Sequence, residues 1–358
     1  MSAGPGPTSP QSSPPGAGMV RTVTGDVPAT DLGRTYAHEH LVLHSALIAA
    51  GFPHILLDDV DLAVAEVSSC VAAGVATMVD AMPCASGRDV LRLAEIARRA
   101  AVRVIAVTGA HHQRYYGPQH WTARLDPAEL GELFTADLLI GIDAFDYTGP
   151  IVRRTSHRAG AIKVATGGPE LSIRDRTLIA AAAYAHQRTG APVLTHCEGG
   201  TGGLEQIEAF AEVGVPAGAL MLSHVDKVTD PGYHAELAST GAWLVYDQGL
   251  RQHRDELPAT AGLISRATES GYLDQVLLGT DGARRDLWRG YGGEPGLDWL
   301  AGQFPARLRA IGLDPEQIDS LFVSNPARAL AWRAGPGHGP GSGDPWSGVV
   351  PVASPIDP

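Results

Sequence analysis

The chain has 358 residues, 44% of them hydrophobic and 18% charged, with a formal net charge of −12 at pH 7. An acidic surface argues against nucleic acid as the main partner. No apolar run approaches the roughly 20 residues that cross a bilayer, so no membrane partner is expected. Three cysteines without a Cys-x-x-Cys spacing argue against a disulfide framework and favour a reducing, cytoplasmic location.

Both ends of the chain have the composition of disordered tails. Residues 1–18 are almost wholly Ser, Pro, Gly and Ala, and residues 334–358 begin with a run rich in Gly and Pro. Such segments bury too little apolar surface to fold, and the first lacks the basic and apolar parts of a secretory signal. Met19 offers a second start of translation, which leaves open whether residues 1–18 are made. Residues 19–333 are predicted to form a single domain.

The first predicted element is a short strand in residues 33–43 that contains His38, Glu39 and His40. Because side chains alternate along a strand, the two histidines share one face and Glu39 points to the other. Two imidazoles on one face can bind one metal ion. The chain has 14 histidines, however, so this pair alone is equally consistent with a histidine-rich surface strand.

Seven further apolar strands follow, in alternation with helical patterns. The predicted strands cover residues 75–80, 102–109, 161–165, 192–196, 219–224, 242–247 and 275–281. The predicted helices cover residues 59–73, 88–101, 127–142, 173–189, 203–213, 231–239, 260–270, 298–311 and 315–321.

This alternation predicts the fold class. Strands so apolar are typical of parallel sheets that are buried on both faces. Eight βα units in about 300 residues predict an α/β protein with a (β/α)₈ TIM barrel. An open, doubly wound sheet is the alternative, but no Gly-x-Gly-x-x-Gly motif follows the first strand.

Six residues with metal-binding or basic side chains fall at or near the ends of these strands: His38, His40, Lys163, His196, His224 and Asp281. In a closed barrel the strand ends form one ring, so residues far apart in the chain can converge. A lone strand-end histidine is more often a hydrogen-bonded loop residue, and a lone aspartate can be a helix N-cap. A lysine in an apolar strand is costly unless paired or neutral, so the joint pattern favours a buried site.

The motifs around these residues resemble those of the phosphotriesterase-like family of the amidohydrolase superfamily. They are Tyr-Ala-His-Glu-His-Leu (36–41), Ala-Ile-Lys-Val-Ala-Thr-Gly (161–167), Pro-Val-Leu-Thr-His (192–196), Leu-Ser-His-Val-Asp (222–226), Leu-Gly-Thr-Asp (278–281) and Val-Ser-Asn-Pro-Ala (323–327). The resemblance extends over residues 20–333 in order and spacing. It implies a (β/α)₈ hydrolase with a binuclear metal centre.

By this resemblance, His38, His40 and Asp281 would hold the more buried metal ion, and His196 and His224 the more exposed one. Lys163, carboxylated by CO₂, would bridge both ions as a carbamate. Two divalent ions about 3.5–4 Å apart repel and need bridging anions, and burial near cations favours the neutral amine that reacts with CO₂. Zn suits the four histidines best, although Mn, Fe or Co would also fit.

The resemblance also implies a mechanism. A hydroxide that bridges the ions would be the nucleophile, because metal-bound water ionises near neutral pH. The exposed ion would polarise the scissile C=O or P=O bond. Asp281, as proton acceptor, and Lys163 are therefore the expected catalytic residues.

The loops must specify the substrate, because such a centre attacks lactones, esters and phosphotriesters alike. The predicted substrate-binding residues are Arg251 after strand seven, Arg284 after strand eight, and Tyr115 and Tyr116 after strand three. Arginines at these loops suit an anion. The pattern resembles the branch of the family that hydrolyses lactones of phosphorylated sugars.

One departure from that branch leaves the phosphate open. The branch carries a tyrosine soon after the strand-eight arginine, whereas this chain has Leu287 and Trp288 there and its next tyrosine is Tyr291. An unphosphorylated lactone or ester therefore remains an alternative.

Three functions follow from this reading, all with a small-molecule ligand. The first is a metal-dependent lactonase or carboxylic ester hydrolase. The second is an organophosphate triesterase or diesterase; the arginine-rich loops argue against it, because a triester carries no full negative charge. The third is a non-catalytic binding protein on a retained barrel, against which the complete ligand set argues. A homodimer is compatible with the resemblance, although nothing in the sequence marks an interface.

Overall fold

The computed structural model of the protein describes residues 16, 18–117 and 119–333. The predicted tail at residues 334–358 lies outside the described residues, and so does the tail at residues 1–18 apart from Gly16 and Gly18. Eight parallel strands follow one another in the sheet in the same order as in the chain, and they curl into a nearly closed barrel. This confirms the predicted TIM-barrel class.

The strands are short and almost completely buried. Their bounds are β3 (Arg34–Glu39), β4 (Val75–Asp80), β5 (Arg103–Ala110), β6 (Ala161–Ala165), β7 (Val193–His196), β8 (Leu220–Ser223), β9 (Trp243–Tyr246) and β10 (Val276–Leu278). All eight coincide with predicted strands, because burial on both faces requires the apolar runs that mark them in the sequence.

Helices cover the outside of the barrel. They are α1 (Ala46–Gly51), α2 (Val60–Ala72), α3 (Val90–Arg99), α4 (Pro127–Leu139), α5 (Ile173–Thr189), α6 (Gly203–Glu212), α7 (Pro231–Ser239), α8 (Ala259–Glu269), α9 (Trp299–Gly302), α10 (Phe304–Ala310), α11 (Pro315–Phe322) and α12 (Ser324–Leu330). The helix predicted at residues 298–311 is two helices. The break falls at Gln303, just before Pro305 at the start of α10, where proline removes a backbone donor.

The sequence analysis missed a hairpin at the start of the chain and the helices α1 and α12. An antiparallel hairpin of β1 (Met19–Thr22) and β2 (Gly25–Pro28) precedes the barrel. Val20 of this hairpin and Leu330 of α12 pack into the apolar cluster that fills the barrel interior. That cluster takes Ala37, Val79, Ala161, Leu194, Met221, Val245 and Leu277 from the strands. The inner side chains thus form a packed core, not a pore.

Two glycines let neighbouring strands approach closely beside the candidate site. A Cβ at Gly109 would lie 2.0 Å from the carbonyl oxygen of Lys163, and one at Gly279 would lie 2.7 Å from that of His38. The second contact closes the barrel, since the amides of Thr280 and Asp281 donate to His38 O over 3.2 and 3.1 Å. Glycine is required where backbones meet this closely.

Two further features of the fold concern its cysteines and the lengths of its helices. Cys70, Cys84 and Cys197 are buried and unpaired, as expected for a chain without a disulfide framework. Within the described part of the chain, no helix combines the length and apolar character that crossing a membrane requires.

Candidate metal centre

Three of the predicted ligands converge where the first and last barrel strands meet. His40 Nε2 lies 3.5 Å and His38 Nε2 lies 4.0 Å from Asp281 Oδ1. All three residues offer ligand atoms within 4.8 Å of one another. Burial lowers the pKa of His38 well below its usual value, with Lys163 adding to the effect, so this imidazole is neutral, as a metal ligand must be.

A register change in β3 aims these histidines. The pairing of β3 with β4 shifts between Tyr36 and Glu39, and irregularities of this kind redirect side chains. Ala37 packs into the barrel interior, and the adjacent His38 also contacts interior groups. Glu39 instead accepts hydrogen bonds from the Thr280 amide over 2.7 Å and from its hydroxyl, which links β3 to the segment that follows β10.

The other two histidines form a second pair. His196, the last residue of β7, and His224, the residue after β8, approach with His196 Nδ1 only 2.9 Å from His224 Nε2. Burial, with the neighbouring His224 as a further cause, lowers the pKa of His196 to about 3. His196 is therefore neutral at physiological pH and suited to bind a cation.

Asp247, which the sequence analysis did not select, lies between the two groups. Its side chain is fully buried at the end of β9. One oxygen accepts a hydrogen bond from His224 Nδ1 over 2.9 Å. The other lies 3.1 Å from His38 Nδ1, without hydrogen-bond geometry on the nitrogen side. The only signal in the sequence was its place, as the last residue of a predicted strand.

Hydrogen-bond chemistry indicates that a cation fits here. Carboxylates only accept, so His224 Nδ1 must carry the proton that it donates to Asp247, and its Nε2 holds a lone pair. His196 Nε2 lies 2.9 Å from a carboxylate oxygen of Glu198, so its Nδ1 also holds a lone pair. Two lone pairs that face each other over 2.9 Å are favourable only with a cation between them. His40 Nδ1 is likewise buried without a hydrogen-bond partner among the described residues.

Lys163 points into the same region. It is 1% exposed, and its Nζ reaches Thr195 O at 3.4 Å. Burial lowers the pKa of its amine from 10.5 to about 8, although Asp281 and Asp247 act in the opposite direction. The lowered pKa enlarges the neutral fraction of this amine relative to an exposed lysine, and the neutral amine is the form that reacts with CO₂.

Two residues of this centre hold uncommon backbone conformations. His224 has a φ of +69° and Asp281 a φ of +44°, both in the left-handed region. Side chains other than glycine adopt this region at a cost, and such residues cluster at functional sites. His224 directly follows β8 and Asp281 lies three residues after β10, so in both cases the conformation occurs just beyond the end of a strand.

Of the two predicted arginines, Arg251 contacts the centre directly, and Arg284 shares a cavity with it. Arg251 Nη2 donates to Asp281 Oδ2 over 2.9 Å and to Asp281 O over 2.7 Å. Arg251 and the exposed Arg284 line one cavity of about 360 Å³, together with Arg254, Asp286 and Glu294. The structure thus brings both predicted arginines to one cavity and adds a third, Arg254, that the sequence analysis did not select.

The two predicted tyrosines have different environments. Tyr115 is partly buried, and its ring packs edge-on against His111 with a centroid distance of 4.5 Å. Tyr116 is buried, and its hydroxyl accepts from the His111 amide over 2.8 Å and donates to Cys84 O over 2.9 Å. Of the two tyrosines, only Tyr115 has a solvent-exposed part. The Tyr116 hydroxyl instead stabilises the loop through its two hydrogen bonds.

The residues that stand where the phosphorylated-sugar lactonase branch carries a tyrosine pack into the protein interior. Trp288 is fully buried, and its Nε1 donates to Gly282 O over 2.7 Å. Tyr291 lines a neighbouring cavity of about 530 Å³ that shares Asp286 and Glu294 with the three-arginine cavity. No tyrosine is among the residues lining the three-arginine cavity itself.

Comparisons with known proteins show the family of the chain and agree with its fold. A protein-family model described as "Phosphotriesterase family" matches residues 18–330 of the chain. A phospho-furanose lactonase of Mycoplasmopsis agalactiae is 31% identical over 325 residues, covering 88% of this chain and 92% of that protein. An amidohydrolase structure from Mycoplasma synoviae superposes with a TM-score of 0.84 at 29% identity, covering 88% of this chain and 93% of that one. A lactonase structure from Listeria monocytogenes superposes with a TM-score of 0.79 at 28% identity, covering 88% and 100%.

Proposed function

The chain belongs to the phosphotriesterase family of the amidohydrolase superfamily, and from this premise we propose that it is a binuclear metal-dependent lactonase whose substrate is a sugar lactone that carries a phosphate. His38, His40 and Asp281 would hold one ion, His196 and His224 the other, and a Lys163 carbamate would join the two. Zn is the first choice for a set of four imidazoles. When bound, the two ions would activate water and polarise the lactone carbonyl.

The residues of the chain itself would manage the proton. Hydrolysis adds water across the ring C–O bond and gives a hydroxy acid, so one proton must travel from the attacking water to the leaving ring oxygen. Burial raises the pKa of Asp281, but Arg251 and the nearby histidines outweigh it and lower that pKa well below its usual value. Asp281 is therefore ionised at neutral pH and able to accept this proton.

The observation that carries the proposal is the three-arginine cavity, one of whose arginines, Arg251, also binds Asp281. Arg284 pairs with Asp286 over 2.6 Å, and Arg254 pairs with Glu294. All four of these side chains are at least half exposed, and exposed pairs of this kind contribute little stability. A phosphate dianion could therefore displace the carboxylates and take charge-assisted hydrogen bonds from the arginines. An uncharged triester would gain nothing from them.

The test combines metal analysis with a substrate panel on the purified protein. Elemental analysis would measure metal per chain after growth with Zn or Mn. The panel would contain furanose lactones with and without a terminal phosphate, acyl-homoserine lactones and paraoxon-type triesters. About two ions per chain and a kcat/KM at least about 10-fold higher for phosphorylated lactones are expected, since one charge-assisted contact is worth about 1.5–3 kcal/mol.

Two other outcomes would contradict the proposal in different ways. If the protein binds two ions but hydrolyses only triesters or neutral lactones, the proposed metal centre stands and the proposed phosphate on the substrate is wrong. A protein without metal or turnover, even after growth with added metal, would favour a non-catalytic binding protein.

A further inference from the structure

Glu198 belongs to neither of the two proposed ligand groups, yet it contacts one of the proposed ligands directly. It follows β7 by two residues, and its Oε2 lies 2.9 Å from His196 Nε2. Because a carboxylate only accepts, this contact holds the His196 proton on Nε2. The opposite nitrogen, Nδ1, is the one that faces His224.

Without Glu198, the two histidines could satisfy each other. Asp247 holds the His224 proton on Nδ1, so His224 Nε2 is an acceptor. His196 Nδ1 lies 2.9 Å from that acceptor, a normal hydrogen-bond distance. A His196 ring protonated on Nδ1 would therefore donate to His224 Nε2. That bond would occupy both nitrogens that converge on the site.

We propose that Glu198 is a positioning residue that keeps His196 in the Nε2-protonated tautomer and so keeps the His196–His224 nitrogen pair open for a metal ion. The inference rests on the proposed function and adds a residue to it. A carboxylate that accepts from the distal nitrogen of a ligating histidine raises the basicity of the ligand and fixes its ring, and loss of such a partner typically costs about 10–100-fold in metal affinity.

Arg114 holds Glu198 from the loop after β5. Its Nη2 lies 3.3 Å from Glu198 Oε2, the same oxygen that faces His196. Both side chains are about 40% exposed, at 43% and 39%, so this pair is weak by itself. We expect the Glu198–His196 contact to carry the effect and Arg114 to contribute a minor share.

The experiment compares Glu198→Ala and Glu198→Gln with wild type. Glu208→Ala, on the exposed side of α6, is the matched control for the loss of one surface carboxylate. Zn²⁺ affinity at each of the two sites is measured by chelator competition. The protonated ring nitrogen of His196 in the metal-free protein is identified by ¹⁵N NMR and assigned with a His196→Asn variant. The melting temperature of the metal-free protein is the third readout.

For Glu198→Ala we expect a loss of about 10–100-fold in affinity at one of the two sites. The proton of His196 should move from Nε2 to Nδ1, and the metal-free protein should melt no lower than wild type, since a histidine–histidine hydrogen bond replaces two facing lone pairs. Glu198→Gln should recover most of the affinity, because the amide oxygen can still accept from Nε2.

Three results would overturn the inference. They are equal affinity in wild type and Glu198→Ala, a His196 proton that stays on Nε2 in Glu198→Ala, or a loss in Glu198→Gln as large as in Glu198→Ala. A wild-type protein that binds no metal would refute the proposed function, whereas the tautomer measurement on metal-free protein would still decide the role of Glu198.

Discussion

Arg251 binds Asp281 through both the side chain and the backbone of the aspartate, with Nη2 at 2.9 Å from Oδ2 and 2.7 Å from the carbonyl oxygen. Its Nη1 donates to Thr280 O over 3.0 Å. One guanidinium thus lines the three-arginine cavity and fixes the expected proton acceptor. Arg284 lines the same cavity but pairs with Asp286 instead. The two arginines should therefore differ in what their loss affects.

Replacing Arg284 by alanine should impair only phosphorylated substrates. We expect kcat/KM for a phosphorylated lactone to fall about 10–100-fold, the value of one charge-assisted contact, mainly through KM. Turnover of the same lactone without its phosphate should stay within about twofold of wild type, because Arg284 contacts no residue of the metal centre in the described structure. Steady-state kinetics on the matched pair of lactones measures both, and an equal loss on both would remove Arg284 from the phosphate site.

Replacing Arg251 by alanine should impair every substrate. Asp281 would lose a charged donor on Oδ2 and another on its carbonyl, so kcat should fall about 10–100-fold for lactones with and without phosphate. The phosphorylated lactone should show an additional rise in KM. Unchanged kcat on the neutral lactone would mean that Asp281 keeps its position without Arg251.

Lys163→Ala should remove the proposed bridge between the ions. We expect bound metal to fall below two ions per chain and turnover to fall by more than about 100-fold, since even outer-shell partners contribute 10–100-fold. Elemental analysis and kinetics would be run beside Lys227→Ala, in which an exposed lysine is lost. Full metal content with full turnover in Lys163→Ala would exclude the carbamate.

Arg88 should be essential for stability and not for chemistry. It is buried between Asp137 and Asp146, with Nη1 at 3.0 Å from the first and Nη2 at 2.7 Å from the second. Arg88→Met leaves Asp146 buried without a charged partner among the described residues, and leaves Asp137 with only the longer contact to Arg154 at 3.3 Å. We therefore expect a loss of about 3–5 kcal/mol in the free energy of unfolding. Urea denaturation measures it, with Arg99→Ala as the control in an exposed ion-pair network. An effect no larger than that of the control would contradict this reading.

The pH dependence of stability should contain a contribution from Asp146. Burial raises its pKa from 3.8 to about 6, in spite of Arg88. The folded state therefore holds this proton more tightly than the unfolded state, and the contribution is full below pH 3.8 and lost as the pH rises to about 6. Asp146→Asn keeps the single oxygen to which Arg88 donates and does not titrate. The free energy of unfolding of the variant should therefore rise relative to that of wild type as the pH increases from 4 to 6. A difference in unfolding free energy that stays constant over this range would refute the prediction.

The barrel was predictable from the residues of the chain, and the proposed ligand set from those residues together with the family resemblance. Eight apolar runs separated by helical patterns suffice for the fold class, because strands buried on both faces need such runs and parallel strands need helical crossovers. His38, His40, Lys163, His196, His224 and Asp281 stood out as polar residues at the ends of those runs. Their roles as metal ligands remain a proposal, supported by the contacts between His196 and His224 and between His40 and Asp281.

The other groups that surround that set become apparent only in the folded barrel. Asp247 contacts His224, which lies 23 residues earlier in the chain, and Glu198 contacts His196, which lies two residues earlier. No local sequence pattern distinguishes either residue from ordinary loop carboxylates. The register change in β3 is equally invisible in the sequence, because it depends on pairing with β4. Side-chain periodicity is a property of one strand, whereas hydrogen-bond partners across a barrel are set by how all eight strands close.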